Sequence, residues 1–251
     1  MTKFQEQFLF QKFQESYNEM PFGVPLFDDQ PDVIFTTTTG KVIGIELTEC
    51  IYDEVLMEES EYQIKFNEKV ISQLETKMPF KFHLAVDLDN KNPLKQNQIE
   101  STIKSVIEIC IQEFASLSPY ESRDVEQLDV DLEEEPISIQ QHFLKRGYRK
   151  LPKGITRIQM SRFDFLERSR HSEFKSGVVP DFTAEHINII LDKKNKAILR
   201  YKLCDEQWLV ICEGCDFYSY INNVRIGQEF ESKFDKIFMY RASMSEVINI
   251  K

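Results

Sequence analysis

Nowhere among the 251 residues do 18 apolar side chains follow one another, so no segment has the length and hydropathy of a membrane-crossing helix. The opening stretch MTKFQEQFLFQKFQ lacks the unbroken apolar centre of a secretory signal, and the expectation is a soluble, cytoplasmic protein with no membrane partner. The cysteines (Cys50, Cys110, Cys204, Cys212 and Cys215) are odd in number and irregular in spacing, which argues against a disulfide framework. Cys212 and Cys215 form a CxxC, but no second pair or nearby histidine completes a zinc site, so ordinary buried or turn cysteines are expected. Neither GxGxxG nor GxxxxGK occurs, which removes the common phosphate-cradling loops. His83, His142, His171 and His186 sit in no motif that would activate a serine or cysteine nucleophile. Internal repeats and low-complexity linkers are also missing.

What is present reads as one large α/β domain, with α+β as the alternative. Hydrophobic residues at 41% and charged residues at 29% are ordinary for a folded chain. Leu9, Phe10, Phe13 and Tyr17 lie on one helical stripe, ended by Pro21 and Gly23. A hairpin follows: Val33–Thr38 is β-branched and aromatic, Thr39-Gly40-Lys41 supplies the turn, and Val42–Thr48 alternates. Further helices are expected at Glu58–Met78, Gln96–Leu117 and Ala184–Tyr201. Strands are expected at Phe80–Leu88, Ile155–Phe163, Phe174–Val179, Trp208–Cys212 and Lys233–Tyr240. Alternation of the two kinds of element predicts a sheet flanked by helices, with residues 51–153 as an insertion or elaboration.

Net charge is -11, which disfavours nucleic acid until the distribution is considered. Glu121 to Glu135 holds eight acids and one arginine, whereas Gln141 to Lys175 holds ten basic residues and three acids. The acidic run, about Pro119 to Pro136, reads as a solvated surface connection. In the basic block Lys145, Arg146, Arg149, Lys150 and Lys153, with Tyr148 available for stacking, either form a nucleic-acid-facing surface or a solvated basic loop.

The strongest local constellation is Pro31-Asp32, thirteen further residues, then Glu46-Leu47-Thr48. A hairpin brings its strand ends together, so carboxylates distant in sequence can face one another. Mg²⁺ is held by such oxygens while keeping several waters, which leaves room for a phosphate. A three-residue turn centred on Thr39 pairs Asp32 with Glu46, and a two-residue turn pairs Asp32 with Leu47. Gly44, on the same face as Glu46, would allow a ligand to approach the backbone. Two ordinary surface acids on an exposed hairpin are the plainer alternative.

At these residues, PDVIFTTTTGKVIGIELTE, the chain resembles the PD-(D/E)XK nuclease superfamily, in which Pro-Asp is followed one strand later by an acid, any residue and lysine. The resemblance is most specific over Phe22 to Glu49, with weaker support from WLVI and FDKIFMY. It implies a three-layer core like that of restriction endonucleases, with Asp32 and Glu46 holding Mg²⁺ or Mn²⁺ for hydrolysis of nucleic acid, DNA rather than RNA. Thr48 stands where the family has lysine, and in that family the lysine is known to migrate to another element. Lys194 is the candidate for it, because it interrupts the apolar stripe of Ile187, Ile190, Leu191, Ala197, Ile198 and Tyr201. An ammonium in that position must reach water or find carboxylate partners. Glu6 shares the stripe of the first helix, which in the family often adds an acid to the metal site; a frayed, water-exposed helix start is the alternative. The rival reading is a catalytically inactive interaction module that keeps the nuclease fold, with Thr48 marking lost activity.

Overall fold

In Val42–Glu49 the residues Ile43, Ile45 and Leu47 alternate with Gly44, Glu46 and Thr48, and an extended chain sends the two sets to opposite faces. That one strand therefore needs apolar cover on one face and can carry polar groups on the other. The computed structural model describes residues 1–128, 135–171, 179–216, 218–227 and 230–251. In chain order the elements are α1 (Lys3–Ser16), β1 (Gly23–Phe27), β2 (Val33–Thr37), β3 (Val42–Glu49), α2 (Glu54–Glu75), β4 (Phe82–Leu88), α3 (Ile99–Phe114), β5 (Ser122–Gln127) and α4 (Ile137–Lys145). There follow β6 (Tyr148–Arg149), β7 (Ile155–Arg162), β8 (Arg170–His171), β9 (Phe182–Thr183), α5 (Ala184–Ala197), β10 (Glu206–Cys212), β11 (Val224–Arg225), β12 (Lys236–Arg241) and β13 (Glu246–Asn249). The protein is mixed α/β, and among the described residues no helix is long and apolar enough to cross a membrane.

The chain divides into two compact units, 1–54 with 176–251, and 55–175. The first is built on a sheet of order β1-β2-β3-β10-β12-β13. β1, β2 and β3 run antiparallel in sequence, β3, β10 and β12 are parallel, and β13 is antiparallel to β12. One face packs on α1 through Phe10, Phe13, Phe35, Ile45, Trp208 and Phe238. The other packs on α5 through Ile187, Ile190, Leu191, Leu209, Ile211 and Ile237. Helix, sheet and helix thus form three layers. Bonds from Asp28 N to Asp32 O and from Thr38 N to Phe22 O fix which residues of β1 face β2. Gly23, Pro25 and Phe27 point their backbone the other way, and the missing Pro25 N–H blunts the open edge.

The second unit has a sheet of order β6-β5-β7-β4-β8. Phe66, Val70 and Leu74 of α2 and Ile103, Val106 and Phe114 of α3 pack on Leu84, Val86, Val125, Ile158 and Met160. Beyond the short β8, β4 has no strand partner on that side among the described residues, and Asn67 of α2 bonds its backbone there. Its Nδ2 donates to Val86 O at 3.0 Å and its Oδ1 accepts from Val86 N at 2.7 Å.

One sequence expectation is corrected and another falls outside the described residues. The acidic run from Pro119 to Pro136 is not a plain connection, because Ser122–Gln127 is β5, hydrogen-bonded between β6 and β7; residues 129–134 of that run lie outside the described residues. The expected strand at 174–179 lies, through residue 178, likewise outside the described residues.

Candidate functional site

β2 and β3 pair with Val33 opposite Ile45 and Ile34 opposite Gly44, which is the register of the three-residue turn. One step further it sets Asp32 opposite Glu46 and Pro31 opposite Leu47. Pro31 has no N–H to give the ladder, which ends here, and Leu47 N donates instead to the Asp32 side chain, whose Oδ2 accepts at 2.9 Å. Because Val33 and Ile45 face α1, Asp32 and Glu46 face the α5 layer. Both are buried, with 9% and 8% of their surface exposed.

Burial of Asp32, next to the negative charges of Glu46 and Glu6, raises its carboxyl to about 6 from an ordinary 3.8; the Leu47 N–H and Lys194 act against that rise. Lys194 approaches from α5 and donates to Glu46 Oε1 at 2.7 Å, an ion pair spanning 148 positions of sequence. The neighbouring Lys193 turns away to pair with Glu54. Burial and the charges of Glu46 and Asp32 hold the Tyr201 hydroxyl well above the usual phenol range, so that hydroxyl sits with the two carboxylates. Glu6 is half-buried at the start of α1, close enough to Asp32 to act on its charge, and its Oε2 lies 3.4 Å from the Lys3 ammonium.

Among the described residues, six buried side-chain oxygens or nitrogens have no hydrogen-bond partner, and four of them belong to this region: Glu6 Oε2, Glu46 Oε2, Tyr201 Oη and Gln207 Oε1. Of these, Glu6 Oε2 is ion-paired with Lys3, and the Glu46 carboxylate lies beside the Tyr201 hydroxyl. Gln207 lies beside Gly44 on β10, and a Cβ on Gly44 would stand 2.3 Å from its Oε1. The glycine therefore makes room for a carboxamide of this chain, where the sequence suggested room for a ligand. Among the described residues no three His, Cys, Asp or Glu side chains converge as a metal-binding group. Asp32 and Glu46 supply carboxylate oxygens, the donor type that suits a magnesium-like ion.

The basic residues belong to the second unit. Lys145, Arg146, Lys150 and Lys153 are exposed, but Arg149 reaches inward to the buried Glu113, which Arg123 also meets. Tyr148 packs edge-on against Phe143 and, with Lys153, lines a cleft of about 760 Å³ that also holds Asp87, Asp89 and Glu126. Arg149 is thus committed to the fold, and the carboxylates in the cleft oppose phosphate there.

Sequence reasoning missed Tyr201 as a polar group because its ring serves the apolar stripe of α5, and it missed Gln207 because nothing local distinguishes that glutamine. The signal available for Tyr201 was a hydroxyl seven residues after Lys194 on the same stripe. Comparison with protein-family models, with characterised proteins and with solved structures finds no match for this chain.

Proposed function

We propose that the first unit is a divalent-cation-dependent phosphodiesterase of the PD-(D/E)XK kind, hydrolysing nucleic acid. The observation that carries this reading is Lys194 Nζ, 2.7 Å from Glu46 Oε1 on the sheet face that also holds Asp32. Two carboxylates and an ammonium are the groups the resembled motif joins in one strand, and here the ammonium comes from α5 while Thr48 stands at the motif position. The three-layer arrangement around the sheet supports the same reading.

Asp32 and Glu46 would hold Mg²⁺ or Mn²⁺, which when bound supplies positive charge to polarise a phosphate and acidify a water. Lys194 holds Glu46 in place, and its remaining N–H bonds can serve a phosphate oxygen as negative charge develops. Glu6 would add negative potential at the rim. Leu47 N–H restrains the Asp32 carboxylate, so neither acid is free to rotate away. DNA over RNA rests on the family resemblance alone, and a cytoplasmic setting is in keeping with five unbridged cysteines. Lys145, Arg146 and Lys150, exposed and outside the acidic cleft that Lys153 lines, are the residues of the second unit we assign to phosphate contact.

Cleavage of plasmid and single-stranded DNA with Mn²⁺ tests the reading. Wild type should cut, and Asp32→Ala, Glu46→Ala and Lys194→Met should each lose at least about a hundredfold, the scale of removing one electrostatic group from such a site. Undiminished cleavage by Lys194→Met would sink the lysine's role, and cleavage surviving both alanine variants would sink the site. Thr48 favours a second reading, an inactive interaction module; a wild-type protein that binds no Mn²⁺ would support it.

A further inference from the structure

The two oxygens of Glu46 are unlike. Oε1 accepts from Lys194, whereas Oε2 is buried and has no hydrogen bond. Beside that carboxylate lies the Tyr201 hydroxyl, also buried and also without a hydrogen bond of good geometry. Tyr201 follows the short 3-10 turn Ile198–Arg200 that continues α5, so the same run of backbone presents Lys194 and Tyr201 to one glutamate.

Packing alone does not call for a hydroxyl at this position. The ring joins an apolar cluster with Ile187, Ile190 and Leu209, where phenylalanine would serve without burying a polar atom. A buried donor facing a buried, unpartnered acceptor is a hydrogen bond that a small rotation of either group completes.

We propose that Tyr201 is a positioning residue for the cation site, donating to Glu46 Oε2 so that the carboxylate is held from both ends, by ammonium on one oxygen and by phenol on the other. This rests on the functional reading above. With both oxygens restrained, the Glu46 carboxylate is held in one orientation beside Asp32. Groups that orient metal ligands in this way are worth about 10- to 100-fold in metal affinity.

The test uses the full chain and two readouts. In metal-free protein, urea unfolding of Tyr201→Phe, Glu46→Gln and the double variant forms a mutant cycle; the effects should be non-additive, and strict additivity would overturn the contact. Mn²⁺ binding is then followed by electron paramagnetic resonance. Tyr201→Phe keeps the ring, so a tyrosine needed only for packing would leave the affinity unchanged, whereas a positioning hydroxyl predicts a loss of about tenfold. Wild-type binding matched by Tyr201→Phe would overturn the inference and leave the functional reading standing. If wild type itself binds no Mn²⁺, the functional reading falls and this inference falls with it.

Discussion

Asp32 carries an energetic penalty that the rest of the site must offset. Its carboxyl is raised to about 6, first by burial and then by Glu46, so between pH 4 and 6 the folded chain holds a proton that the unfolded chain has released. Stability therefore falls as pH rises through that window, and the cost levels off above it at about 3 kcal/mol, from roughly two pKa units at 1.36 kcal/mol each. Asp32→Asn, which can still accept from Leu47 N, should stabilise metal-free protein by up to that amount at pH 7 and by almost nothing at pH 3.5. Urea unfolding at the two pH values checks it, and equal effects at both would contradict the assignment. Lys194→Met should act in the opposite direction. It strands Glu46 at 10% side-chain exposure without its cation, and removing one member of a buried pair costs about 3 kcal/mol. Adding Glu46→Gln should recover most of that loss, as the same unfolding measurement would show.

Elements with a strong apolar rhythm were readable before any coordinates. The helix stripe of Phe10 and Phe13, the alternation of Ile43, Ile45 and Leu47, and the α3 face of Ile103, Val106 and Cys110 each state their own burial. Lys194 was legible for the converse reason, a charge in an apolar stripe. β5 was illegible because in SRDVEQ only Val125 is buried; its charges are tolerated by partners that exist only in the fold, Arg123 with Glu113 and Asp124 with Arg157. β1 was illegible because GVPLF is short and interrupted by Pro25, although at a sheet edge that proline guards against strand addition. Pro25→Val restores the outward N–H beside the exposed Val24 and Leu26, and should produce concentration-dependent association by light scattering. A variant that stays monodisperse would show that the edge is protected by something else. In the second unit, Asn67→Ala removes both side-chain bonds to Val86 and should cost about 2 kcal/mol, with faster amide exchange at Val86 as its local signature.

At the scale of the molecule, the two units differ in how their chain is laid out. Residues 55–175 are contiguous, whereas the first unit joins 1–54 to 176–251 and pairs Glu46 of β3 beside Leu209 of β10. Closing so long a loop is slow relative to local pairing, so on refolding from urea the second unit should protect its amides first. Pulsed hydrogen exchange should find Leu84, Val86 and Ile158 protected before Ile45 and Leu209, and the reverse order would refute this account. The same layout bears on synthesis by the ribosome. Glu6, Asp32 and Glu46 are made early, but the ammonium and the phenol that hold Glu46 are translated only after the whole intervening unit. A nascent or truncated chain ending before Lys194 therefore carries the acids without the ammonium and the phenol that hold Glu46, and the hydrolytic power proposed for this protein is withheld from it.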